Sequence, residues 1–90
     1  MSRVSELEVE LDAWVGKCPI RVWRHGRAKK IAQARVATLI SRSAQAVRDY
    51  ESGSYFPTEG ALADLAGLMG CKPETLKRKW SQWMEDKPKP

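Results

Sequence analysis

The sequence predicts an all-α fold, a compact five- to six-helix bundle forming one domain over residues 1–90. Three observations carry this. Apolar residues recur at intervals of three and four almost throughout, and no stretch alternates convincingly as a half-buried strand would. Pro19 and Pro73 stand where helices can begin, and Gly16, Gly53 and Gly70 where they can end. Ninety residues, 42% hydrophobic and 30% charged, can enclose one core but not two.

Val4, Leu7, Leu11 and Trp14 make the stripe of an amphipathic helix over about 3–16, whose outer face carries Glu6, Glu8, Glu10 and Asp12. Pro19 opens a second helix, its missing N–H costing nothing in the first turn. Ile20, Trp23 and Ile31 are expected inside, with Arg21, Arg24, Arg27 and Lys29 outside. Val36, Ala37 and Ile40 form a short third stripe. The turn "ISRS" follows, with Ser41 or Ser43 placed to cap the next helix. That helix, within "SAQAVRDYESG" (43–53), turns Val47 and Tyr50 inward and closes at Gly53. Thr58 caps a fifth helix with Leu62, Leu65, Ala66 and Met69 on one face and Gly70 as its stop. "CKPE" opens the last, over about 73–85, with Pro73 first and Glu74 favourable to the dipole. Its stripe is Leu76, Trp80 and Trp83 or Met84, its solvated side Lys77, Arg78 and Lys79, and "DKPKP" reads as a frayed tail. Trp14, Trp23, Trp80 and Trp83 each fit an apolar stripe and are expected in the core.

No run approaches the ~18 apolar residues of a membrane span. The N-terminal stretch is acidic, without the apolar segment of a signal peptide, so a cytoplasmic protein without membrane contact is expected. Cys18, Cys71 and the lone His25 are too few for a disulfide framework or a zinc site, and both thiols are expected reduced and packed. Neither a nucleophile motif nor a Gly-rich phosphate loop is present, so no enzymatic activity, metal or cofactor is expected.

The net charge of +5 is unevenly spread. Residues 1–18 carry −2, residues 19–56 carry +6 and residues 57–90 carry +1. The basic middle segment surrounds the 43–53 helix, whose outer face holds Ser43, Gln45, Arg48 and Asp49 with only Ala44 and Ala46 between them. Short polar side chains without surrounding bulk suit a helix that enters the major groove of B-DNA. Two short helices joined by a three- or four-residue turn, with small Ala37 where they cross, make a helix-turn-helix. Positive charge around them is the footprint expected for phosphate backbones.

"AQARVATLISRSAQAVRDYESG", preceded by "PIRVWRHGRAKKI" and followed by "YFPTEGALADLAGLMG", resembles the phage-repressor and Cro type of helix-turn-helix, the Xre-like family. Gln33, Ala37, Val47, Glu51-Ser52-Gly53, Pro57 and "LADLAGLMG" stand in the family's register, and the likeness covers about residues 19–76. It implies a lambda-repressor-like DNA-binding domain with an extra N-terminal helix. Ser43, Ala44, Gln45 and Asp49 match positions at base edges, and Arg48 lies beside them. An amide such as Gln45 can pair with adenine, Ala44 can touch a thymine methyl, and Arg48 can reach guanine or a phosphate. Gln33 matches the family's phosphate clamp and Ser52 a backbone-contacting position, Arg42 would add a phosphate contact, and Tyr55 would supply one where the family often places Lys or Arg. The sequence departs from the pattern where Lys30 and Ser41 replace turn glycines and Arg42 replaces an uncharged residue. The family's arginine partner for Glu51 would fall near Gly26, leaving Arg24 or Arg27 to substitute if the second helix is offset. Asp49 would be repelled by phosphates unless it accepts from cytosine N4 or pairs with Arg48.

The resemblance implies a transcription regulator of phage or prokaryotic type, most simply a repressor, that binds an inverted-repeat operator in double-stranded DNA as a homodimer. The N-terminal and C-terminal helices are the candidate dimer interfaces. The alternative is an antitoxin-like or adaptor protein whose principal partner is another protein, held by the acidic N-terminal helix.

Overall fold

A computed structural model describes residues 3–88, with side chains described from Glu6 onward. It is all-helical, with six helices and no strand among the described residues. They are α1 (Arg3–Val15), α2 (Pro19–His25), α3 (Gln33–Leu39), α4 (Ala44–Ser52), α5 (Glu59–Met69) and α6 (Pro73–Glu85). Their ends fall where side-chain chemistry stops a helix. Ser43 Oγ accepts from Ala46 N at 3.1 Å, and Thr58 Oγ1 from Ala61 N at 3.2 Å. Gly53 and Gly70 close α4 and α5 in the left-handed conformation, at φ 76° and 74°. α2 stops at His25, so Gly26 lies at the helix end rather than in its interior. Val4 of the α1 stripe, and the last two residues of the tail, lie outside the described side chains.

α3 packs on α4, α5 on α6, and α2 against α6. Ile20, Val36, Val47, Leu65, Leu76 and Trp80 are fully enclosed between them. Trp80 is the hub. Tyr50, Phe56 and Trp83 approach it edge to face, with ring centroids 6.4, 6.4 and 6.3 Å away. Trp23 is only half-buried, and the Arg27 guanidinium lies 5.3 Å from its ring centroid.

α1 joins this body at its C-terminal end. The Trp14 and Trp83 rings stack in parallel, with centroids 4.1 Å apart. Each indole also donates to the other residue's carbonyl oxygen, Trp14 Nε1 to Trp83 at 2.6 Å and Trp83 Nε1 to Trp14 at 2.7 Å. Two buried indole N–H groups are thus satisfied without water, and two helices 69 positions apart are clamped together. The same Trp14 ring lies against Gly53, so the clamp also touches the end of α4. Farther along α1, Leu7 and Leu11 are half-buried, while Val9 is exposed among Glu6, Glu8, Glu10 and Asp12.

Periodicity and charge together placed Arg24 outside, and the structure corrects this: it is 4% exposed. Arg24 follows Ile20 by four residues and therefore shares its buried face. Its Nε and Nη2 donate to the two Glu51 carboxylate oxygens at 2.8 and 2.7 Å, and Nη1 donates to the Ile31 carbonyl at 2.8 Å. Glu51 is itself 2% exposed. A charge taken from water is tolerated only when paired and hydrogen-bonded, and this fork meets both conditions. The partner of Glu51 is therefore Arg24, whereas Arg27 rests on Trp23.

Candidate nucleic-acid interface

The turn from α3 to α4 fixes how α4 is presented. Small, buried Ala37 shares one core cluster with Val36 on α3, Ile40 at its C-cap, and Val47 and Tyr50 on α4. Ser41 takes the left-handed backbone at φ 56°, a role glycine fills without Cβ strain, and it is the one such non-glycine residue among those described. Arg42 N then bonds the Ala37 carbonyl at 2.9 Å, satisfying one of the last carbonyls of α3. Lys30, where the resemblance would place a second turn glycine, adopts no left-handed conformation.

α4 divides into two faces. Val47, Tyr50 and Glu51 are buried, and Ala44 and Ala46 pack partly against the core. Gln45 and Arg48 are exposed, and Asp49 is half-buried beside them. These three form a chain, Arg48 Nη2 donating to Gln45 Oε1 at 2.9 Å and Gln45 Nε2 donating to Asp49 Oδ1 at 2.9 Å. Asp49 thus has the Gln45 amide as its partner, the third possibility beside cytosine and Arg48. The Ser43 hydroxyl is committed to capping.

The residues expected at phosphates are more varied. Gln33 is half-buried at the start of α3. Arg42 turns back toward the body: its Nη2 lies 3.6 Å from Asp64 Oδ2, and Nη1 donates to the Ile40 carbonyl at 3.3 Å. Ser52 Oγ donates to the Asp49 carbonyl at 3.1 Å and lies 2.8 Å from Ser54 Oγ. Tyr55 is 65% exposed just past the end of α4.

Across residues 19–56, only Arg24 and Arg42 form ion pairs among the described residues. Arg21, Arg27, Lys29, Lys30, Arg35 and Arg48 remain unneutralised by any carboxylate among them. Of these, Arg27, Lys29, Lys30 and Arg35 are exposed on the loop before α3 and on α3 itself. His25 at the start of that loop has its pKa lowered by slight desolvation and by the positive charges of Lys30, Arg24 and Arg21.

No group of three metal-ligating side chains occurs among the described residues. A groove of 620 Å³ lies between α1 and α6, lined by Glu10, Lys17, Lys79 and Asp86 around Trp14 and Trp83, with nothing from α3 or α4 in its walls. No helix among the described residues is long and apolar enough to cross a membrane. No family model, curated protein or solved structure matches the chain.

Proposed function

We propose that this chain is a sequence-specific DNA-binding transcription regulator in which α3 and α4 form a helix-turn-helix of the Xre-like kind and α4 enters the major groove. The observation that carries the reading is the outer face of α4. Gln45 and Arg48 are exposed, with Asp49 half-buried beside them, on a helix whose opposite face, Val47, Tyr50 and Glu51, is sunk in the core. The surrounding residues 19–56 supply a net charge of +6. Exposed polar groups on a helix anchored in the core read base edges, and the unpaired cations draw the phosphates toward them.

A single small domain reads few base pairs, so two copies on an inverted repeat are expected, with recognition helices about 34 Å apart. Occupying a promoter would make the protein a repressor in the simplest case. Ser43 and Ala44 lie at the end of α4 that enters the groove first, and Gln33, Ser52 and Tyr55 flank it as phosphate contacts. Arg42 joins them when it leaves Asp64.

Selection of bound sequences from random duplexes, followed by titration of the winner at two salt concentrations, tests the proposal. An enriched inverted repeat, with affinity falling linearly in log salt, is expected. Weak, salt-sensitive binding with no preferred sequence refutes sequence-specific regulation.

A second reading, an antitoxin-like or adaptor protein, is favoured by α1. It holds to the body through its C-terminal end and presents Glu6, Glu8, Glu10 and Asp12 around Val9, which is 65% exposed. Replacing those four acids separates the two readings. Lost function in the cell with unchanged operator affinity supports the adaptor, and unchanged function removes it.

A further inference from the structure

We propose that Asp49 and Arg48 act as positioning residues, locking the Gln45 amide in the one orientation that selects adenine. The inference rests on α4 being the DNA-reading helix, and it reassigns the work of that helix's polar side chains.

The argument is an account of donors and acceptors. A primary amide carries two N–H donors and an oxygen with two lone pairs. Gln45 spends one donor on Asp49 Oδ1 and one lone pair on Arg48 Nη2, each at 2.9 Å. One N–H and one lone pair remain. That remainder complements the major-groove edge of adenine, where N7 accepts and N6 donates. It mismatches guanine, whose O6 and N7 both accept.

The neighbours also decide which way the amide faces. Rotation by half a turn about Cγ–Cδ would exchange the oxygen and the nitrogen. An ionised carboxylate only accepts, however, and a guanidinium only donates. With Asp49 four residues ahead and Arg48 three, one orientation satisfies both neighbours and the other satisfies neither. Asp49 is well placed to impose it. It is half-buried, and its own carbonyl accepts from Ser54 N at 3.0 Å and from Ser52 Oγ at 3.1 Å, which fixes its backbone. This also accounts for a carboxylate on a helix face that would meet phosphates. Its repulsion is the cost of an ordered amide, and the adjacent Arg48 offsets it.

The test compares wild type with Gln45→Ala, Asp49→Ala, Asp49→Asn and the Gln45→Ala/Asp49→Ala double variant. Each is titrated by fluorescence anisotropy against the selected site and against every base-pair replacement in one half-site. Wild type is expected to prefer A·T at one position by roughly 5- to 150-fold, the span of a good bidentate pair. Asp49→Asn, whose amide can donate as well as accept, retains only the part of that preference that Arg48 still imposes. Asp49→Ala and Gln45→Ala lose it at the same position, and the double variant loses no more than either. Both Asp49 variants should bind all sequences more tightly, having shed a negative charge, so discrimination is the readout that a purely electrostatic role would leave unmoved.

Three results overturn the inference while leaving DNA reading intact. These are an adenine preference kept by Asp49→Ala, loss in that variant of a cytosine preference at a neighbouring position instead, and a double variant that loses the sum of the single losses. Absence of any sequence preference in wild type overturns the DNA reading itself, and this inference with it.

Discussion

Gly53→Ala tests how α1 is tied to α4. Gly53 is buried and sits at φ 76°, where an L-residue costs roughly 1–2 kcal/mol. A methyl group there would also overlap Cη2 of Trp14 and come within 3.1 Å of its Cζ3. The ring cannot easily yield, because it is stacked on Trp83 and held by reciprocal hydrogen bonds. Overpacking of this kind costs about 1–3 kcal/mol, so a total of ~2–5 kcal/mol is expected, a large share of the roughly 5–15 kcal/mol that holds a domain together. Gly70→Ala is the internal control. It has the same backbone, at φ 74°, with nothing within 4 Å of the added carbon, so the ~1–2 kcal/mol of strain should appear alone. Urea unfolding followed by circular dichroism gives both values, and each kcal/mol should lower Tm by ~4–8 °C. Trp14→Leu should reduce the cost of Gly53→Ala to that of Gly70→Ala. Equal costs in the wild-type background would refute the argument, because Trp14 would then not be held against the end of α4.

Four further outcomes are expected. Glu51→Gln should destabilise by about 3–5 kcal/mol in the same unfolding assay, because Arg24 is left buried without its counter-charge, while Arg24→Met/Glu51→Leu should recover much of the loss. Ser41→Gly should stabilise by ~0.5–1 kcal/mol, the relief of a left-handed serine outweighing the greater freedom of glycine in the unfolded chain. Burial pushes the Cys18 thiol from 9.0 up to about 12. The unfolded chain therefore releases this proton first, so stability present below pH 9.0 falls as pH rises toward 12, and Cys18→Ala should flatten the decline in urea midpoint over that window. Arg42→Ala should weaken binding to all DNA sequences alike and lower the slope of log affinity against log salt by ~1, measured by anisotropy over a salt series.

Helix boundaries were legible because their signals are local. Ser43, Thr58, Pro19, Pro73, Gly53 and Gly70 act within a turn of where they stand. The buried face of α4 followed from Val47 and Tyr50 in the same way. Arg24 was misplaced because its charge was given more weight than its position one turn after Ile20. Only a partner 27 residues away makes its burial tolerable. The Trp14–Trp83 pair could not be read at all, since stripes place both rings inward without saying that they meet. The Gln45–Asp49 bond lies at legible spacing, but choosing it over an Arg48–Asp49 pair required the side-chain geometry.

The anchoring of α4 is lopsided, and this shapes how the helix can give way. Its C-terminal half holds Tyr50, Glu51 and Gly53, fixed by Trp80, Arg24 and Trp14, whereas its N-terminal half sinks only Val47 fully into the core. The helix is a cantilever, bolted at the rear and more lightly held at the tip. Amide hydrogen exchange should show that gradient, slow at the rear and faster toward the Ser43 end. The compliant end is the one that carries Gln45, so small misfits against a docking surface can be absorbed there without loosening the core.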